Sequence, residues 1–145
     1  SHHLLPQCTV LENVLIPTLA RAERHSKEVS LARAGRLLER VGLGPQRSHR
    51  PGQLSGGEQQ RVTIARSLIN DPRIILADEP TGNLDSKNGI EIMKTFDNLI
   101  KEGKTIVLIT HDLEVAQHAG RIVSIRDGQI ASDGNHEEET PARFL

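Results

Sequence analysis

The sequence predicts an α/β fold: a truncated parallel sheet flanked by helices, with a helical region ahead of it and an antiparallel hairpin behind it. Three observations carry this expectation. Ile74-Ile75-Leu76-Ala77 is a continuous apolar run ending in Asp78 and Glu79, the pattern of a buried parallel strand that delivers polar groups to the carboxyl edge of a sheet. Thr105 to Thr110 is a second such run, closed by His111, and the stretch between the two runs has helical spacing. Asp127-Gly128, set between Ile122 to Ile125 and Gln129 to Ala131, is a strong two-residue hairpin signal.

Taken in order, the chain opens on His2-His3-Leu4-Leu5-Pro6 with no helix or strand signal; the paired histidines read as loop residues, because no third ligand lies at a useful spacing for a metal. Thr9 and Glu12 form a capping box, so a helix is expected from Val10 until Pro17 kinks or ends it, with Cys8 packed as a small apolar residue near its start. Ser26 can cap a second, half-buried helix through Leu31, Ala34, Leu37, Leu38 and Val41, with Gly42 as its left-handed terminator. Arg47-Ser48-His49-Arg50 and Pro51 read as a solvated linker. A third helix, carrying Val62, Ile64, Ala65, Leu68 and Ile69, runs to Asn70, and Asp71-Pro72 breaks the chain before the first strand. Asp85 or Ser86 should cap a long helix through Ile90, Met93, Phe96, Leu99 and Ile100 that stops at Gly103. A short helix around Leu113 to His118 precedes the hairpin, and the tail with Glu137-Glu138-Glu139 reads as a solvated end.

Composition narrows the function classes. The chain has 145 residues, 18 Lys and Arg against 19 Asp and Glu, and a formal net charge of −1, so no electrostatic attraction to nucleic acid is expected. There is no Trp or Tyr to stack on single-stranded bases. One cysteine cannot form an internal disulfide, no apolar run approaches the length of a membrane span, and no signal peptide is expected; together these point to a soluble cytoplasmic protein.

The chemistry concentrates around Leu54-Ser55-Gly56-Gly57-Glu58-Gln59-Gln60-Arg61. Ser55 and Glu58 form a second capping box, and Gly56 and Gly57 leave the first amides of the helix uncovered by side chains, where an anion can dock. Downstream, two adjacent carboxylates at a strand end are costly unless something uses them, and a Mg²⁺ ion is the natural user. Either feature alone also fits a plain structural role, a helix cap in one case and a strand end meeting a polar loop in the other. Gly103-Lys104-Thr105 has the closing letters of a phosphate loop, but Asn98 stands where the opening glycine should be. The tripeptide also closes a helix and opens a strand, the reverse of the order a phosphate loop needs.

In this order the residues resemble the ATP-binding-cassette (ABC) ATPases. Leu54 to Arg61 is similar to the family's signature, Ile74 to Pro80 to its Walker B run, Gly82-Asn83-Leu84-Asp85 to its D-loop, and His111 to its switch histidine. Within the family the Leu4-Leu5-Pro6 opening, Leu11-Glu12-Asn13-Val14 and Ala77 to Asp85 look most like the lipoprotein-releasing and macrolide-exporter ATPases. The resemblance covers 1–133, with a helical subdomain at about 7–70, a core at 71–133 and an acidic tail at 134–145, and it implies a partial P-loop NTPase-type sheet.

Several roles follow from the resemblance. Asp78 would hold Mg²⁺ through water, Glu79 would polarise the water that attacks ATP, and His111 would contact the γ-phosphate. Ser55, Gly56, Gly57 and Glu58 would meet the nucleotide bound by the opposite subunit of a homodimer, with Asp85 in the dimer seam. Ser55 should therefore be exposed. The partners implied are a second copy and integral-membrane permease subunits, with the protein peripheral on the inner face of the cell membrane. The chain carries no phosphate loop and begins abruptly, so it reads as N-terminally truncated and inactive by itself. Two alternatives remain: a non-catalytic half-site module that complements an intact partner, and a nucleic-acid maintenance ATPase, although the latter carry long coiled coils or zinc-binding cysteines that this sequence lacks.

Overall fold

A computed structural model describes residues 4–20, 26–82 and 84–135. His2, His3, Asn83 and the tail glutamates lie outside the described residues. Helix α1, Val10–Leu19, starts at the Thr9–Glu12 capping box and runs two residues past Pro17 before it ends. Pro17 is thus tolerated inside the last turn, where its carbonyl accepts from Asn70 Nδ2 at 3.0 Å. Helix α2, Lys27–Arg40, is capped by Ser26. It closes in a Schellman turn at Gly42, with φ 72° and a bond from Leu43 N–H to the Leu38 carbonyl of 2.8 Å.

Arg47 to Pro51 does more than a solvated linker would. The His49 and Arg47 carbonyls accept from the Val10 and Leu11 amides at 2.8 and 3.0 Å, satisfying the first donors of α1 across the subdomain. A short 3-10 turn, Pro51–Gln53, then leads into α3, Gly56–Leu68, two residues shorter than its sequence pattern. Asn13 is fully buried: its Oδ1 accepts from Leu5 N–H at 2.8 Å, while its Nδ2 faces the carbonyls of Leu5, Cys8 and Thr9 at 3.0–3.2 Å. That network ties the half-buried Cys8 turn to α1.

Strands β1, Ile74–Asp78, and β2, Thr105–Ile109, pair in parallel, with Ile74 opposite Thr105 and Asp78 opposite Ile109. Helix α4, Ser86–Lys101, links them. Asp85, rather than Ser86, is its N-cap, and Gly103 (φ 84°) ends it, with Lys104 N–H bonded to the Leu99 carbonyl at 3.0 Å. Gly103-Lys104-Thr105 is therefore a helix terminator, and Lys104 Nζ lies 2.5 Å from Asp71 Oδ1. The buried stripe of α4 is Ile92, Met93, Phe96 and Leu99. Ile90 and Ile100, expected in the stripe, are 56% and 49% exposed, since 3.6-residue rotation turns them off the face that Ile92 and Phe96 define.

Burial of the two parallel strands on both faces is overturned. Ile75 and Ala77 face the core, but Ile74 and Leu76 are 59% and 75% exposed, and Val107 and Ile109 are open on the same sheet. A parallel sheet normally has both faces covered, whereas among the described residues the face carrying Ile74, Leu76, Val107 and Ile109 is open. Helix α5, Leu113–Ala116, capped by Asp112, precedes the antiparallel hairpin β3, Arg121–Arg126, and β4, Gln129–Asn135. Asp127 and Gly128 both have positive φ, 51° and 75°, as the two-residue turn requires. β4 extends four residues beyond Ala131, and Gly134 pairs with Ile122, so the strand takes in the first two residues expected in the tail.

Candidate nucleotide site

The geometry starts from the shared ending of β1 and β2. Because Asp78 is opposite Ile109, the residues that follow each strand leave the sheet side by side. Glu79 N–H donates to the Ile109 carbonyl at 2.9 Å, one bond beyond the ladder, and the chain then turns at Glu79 with φ 42°. A left-handed conformation costs a non-glycine residue roughly 1–2 kcal/mol, so it persists only where other contacts hold it.

Those contacts come from the end of β2. Glu79 Oε1 accepts from the His111 backbone N–H at 3.0 Å and lies 2.6 Å from His111 Nδ1. Glu79 Oε2 accepts from the Thr110 hydroxyl at 3.2 Å. Gly82, whose N–H bonds to the Glu79 carbonyl at 3.2 Å, lies against the same side chain. The sequence thus places Glu79 and His111 correctly together, while Thr110 was missed. An apolar strand ending in Thr carries no signal of its own, and only the parallel register aims that hydroxyl.

Electrostatics follow the geometry. The His111 side chain and backbone hold the Glu79 carboxyl below its ordinary value of 4.5, with the imidazole bond the largest cause. The same bond, helped by the Glu79 charge, raises His111 above 6.5. The pair's contribution is therefore complete between the two ordinary values, 4.5 for Glu79 and 6.5 for His111. It is lost as pH rises through the raised His111 value or falls through the lowered Glu79 value. NMR titration of the His111 ring should show a midpoint above that of a free histidine in the parent and a drop toward it in Glu79→Gln; an unchanged midpoint would remove the pair.

Asp78 stands apart. Its carboxylate is exposed and takes no hydrogen bond or ion pair from the described residues, leaving an open hard-oxygen donor at the strand end. Among the described residues no group of three His, Cys, Asp or Glu could hold a metal by itself. The donor set fits Mg²⁺ only if a nucleotide's phosphates and water supply the remaining ligands, which is how this ion is usually held.

The start of α3 forms a separate surface. Ser55 is exposed, as expected; its hydroxyl accepts from Glu58 N–H at 3.3 Å, and Glu58 Oε2 accepts from Ser55 N–H at 2.8 Å. Glu58, its carboxyl lowered chiefly by that backbone bond, is thereby committed to the cap. Gly56 and Gly57 N–H groups have no acceptor among the described residues. Gly57 is buried, and a Cβ there would stand 2.3 Å from Asn88 Oδ1 and 3.0 Å from Asn88 Cβ. Asn88 in turn is bound by Asp85, whose two oxygens accept from its backbone and side-chain nitrogens at 2.9 and 2.8 Å. Asp85 thus braces the α3 surface, through Asn88 on Gly57, besides capping α4.

A family model described as ABC transporter matches residues 1–82. The chain belongs to the ABC transporter family. The cassette is 53% identical over 132 residues to the macrolide export ATP-binding/permease protein MacB 1/2 of Paracoccus denitrificans (strain Pd 1222), covering 91% of this chain and 20% of that protein. It is 51% identical over 146 aligned positions to the pyoverdine export ATP-binding/permease protein PvdT of Pseudomonas entomophila (strain L48), covering 98% of this chain and 21% of that protein. This cassette sequence therefore spans about a fifth of the length of these curated relatives. Among solved structures it superposes on a dimeric post-hydrolysis state of the ATP-binding cassette MJ0796 bound to ADP and Pi. There the TM-score is 0.81 at 43% identity, over 93% of this chain and 60% of that one. The resemblance to the macrolide-exporter group and the cassette fold are thus established, and the partial parallel sheet with its C-terminal hairpin is part of that fold.

Proposed function

We propose that this chain supplies the signature, Walker B, D-loop and switch-histidine portion of an ATPase that powers export through membrane permease domains. The observation that carries the reading is the Glu79 carboxylate fixed at the sheet edge by Thr110 and His111, next to an Asp78 that has no partner among the described residues. Glu79, kept ionised by these bonds, accepts a proton from the water that attacks the γ-phosphate, and His111 orients Glu79 while its remaining ring nitrogen faces the phosphate. Asp78 would hold Mg²⁺, which when bound with the nucleotide neutralises phosphate charge.

The Gly56 and Gly57 amides act on nucleotide held by a second copy. The exposed Ser55 supports this, as do the dimeric cassette neighbours. The permease partner and an export direction draw on the names of the relatives, macrolide and pyoverdine export ATP-binding/permease proteins. Among the described residues no helix is long and apolar enough to cross a membrane, so a peripheral place beside membrane-spanning segments is the arrangement proposed.

Gly56→Asp tests the trans contact. An acid in the first turn suits the helix dipole, and a Cβ at Gly56 meets only Leu84 Cδ2, at 3.6 Å, so the variant should fold. A carboxylate there repels phosphate. In a cassette completed by a phosphate-loop half, ATP-dependent dimers measured by size-exclusion chromatography should disappear and turnover should fall about 100-fold or more, as for a removed transition-state donor. Unchanged dimerisation would sink the trans reading. The phosphate-loop pattern is absent from these 145 residues, so the completed cassette rather than the chain alone is the protein to assay.

A further inference from the structure

We propose that Thr110 is a positioning residue for Glu79, selecting which carboxylate oxygen is presented to the attacking water; this rests on the reading of Glu79 as the group that polarises that water. The Thr110 hydroxyl sits between two partners. It accepts from Asp112 N–H at 3.1 Å and donates to Glu79 Oε2 at 3.2 Å. Since a hydroxyl has one proton, the bond from Asp112 fixes the rotor and commits that proton to Glu79.

Counting acceptors gives the consequence. A carboxylate offers about four lone-pair sites. With a proton on His111 Nδ1, Oε1 receives two donors, the His111 backbone and ring, while Oε2 receives Thr110 alone. One lone pair remains, on Oε2, and that is where a water proton can be accepted. Without the hydroxyl, Oε2 loses its anchor, and the carboxylate is free to turn about the two bonds on Oε1. His111 alone cannot prevent this, because both of its donors meet the same oxygen.

Asp112 is the outer support. Its Oδ1 caps α5 through Glu114 N–H at 2.9 Å, which holds the Asp112 backbone still under Thr110. The parallel register places Thr110 directly after Ile109, whose carbonyl binds Glu79 N–H, so both the backbone and the side chain of Glu79 are held by consecutive residues of one strand end.

The test compares Thr110→Val and Thr110→Ala, which lack the hydroxyl, with Thr110→Ser, which keeps it. Two readouts are used. In the 145-residue chain, exchange of the His111 backbone amide, followed by NMR, should quicken in both hydroxyl-free variants as the Oε1 acceptor loosens, and return to the parent rate in the serine variant. In a cassette completed by a phosphate-loop half, kcat should fall about 10- to 100-fold in the hydroxyl-free variants with KM for ATP unchanged, the loss that misplacing a catalytic group produces. Thr110→Ser should recover most of it. Parent-like turnover and exchange in Val and Ala, or a serine variant as impaired as they are, would overturn the proposal. Glu79→Gln, run beside them, separates the two ideas. If it is slow while Thr110→Val is not, only the Thr110 role fails; if it turns over normally, the reading of Glu79 itself fails.

Discussion

Glu79→Gln, in a cassette completed by a phosphate-loop half, is expected to bind MgATP with little change and to turn it over about 100- to 10,000-fold more slowly, the range a general base contributes. An amide keeps the size of the side chain, and its oxygen can still accept from Thr110 or from the His111 N–H. It cannot take up a proton, and it weakens the imidazole bond and removes the charge that together raise His111. Both faults fall on the same step. Because nucleotide and the second copy are still bound while the reaction is stalled, ATP-bound dimers should accumulate and be visible as a shift in size-exclusion elution. The measurement is single-turnover phosphate release against nucleotide binding. Parent-like release would take Glu79 out of the mechanism.

The 145-residue chain by itself should release no phosphate from MgATP above background, despite carrying Asp78, Glu79, Thr110 and His111. These side chains act on a phosphate that something else must hold, and no stretch of the sequence has the strand, glycine-rich loop and lysine that bind phosphates in this enzyme class. Gly103-Lys104-Thr105 offers no substitute, since its lysine is paired with Asp71 at a helix end. Positioning accounts for roughly 7 to 11 kcal/mol of an enzyme's barrier reduction, and losing it removes most of the rate advantage. The open apolar face of Ile74, Leu76, Val107 and Ile109 should also make the isolated chain associate, which analytical ultracentrifugation would detect. Phosphate release that disappears in Glu79→Gln would establish that the chain forms its own phosphate site.

Local chemistry made much of this molecule legible from sequence. Three helix starts were written as Thr9-x-x-Glu12, Ser26 and Ser55-x-x-Glu58, because a side-chain oxygen reaching an amide three residues on needs no distant partner. Gly42, Gly103 and the Asp127-Gly128 turn were equally plain, each answering a positive φ. The pairing of Glu79 with His111 also followed, once two apolar runs were taken as parallel neighbours. Tertiary structure alone decided the rest, for a common reason: these features depend on register or on layers rather than on neighbours along the chain. The hydroxyl of Thr110 meets Glu79 because β1 and β2 end level with each other. Asn88 fills the space that Gly57 leaves empty, a complementarity of two helices thirty-one positions apart in sequence. The Arg47 and His49 carbonyls cap α1 from another loop, which a charge pattern cannot reveal. Apolar composition promised a strand covered on both sides, but composition records only that a side chain prefers to leave water. Whether another layer is there to receive it is settled by what packs against the sheet, and among the described residues Leu76 remains open.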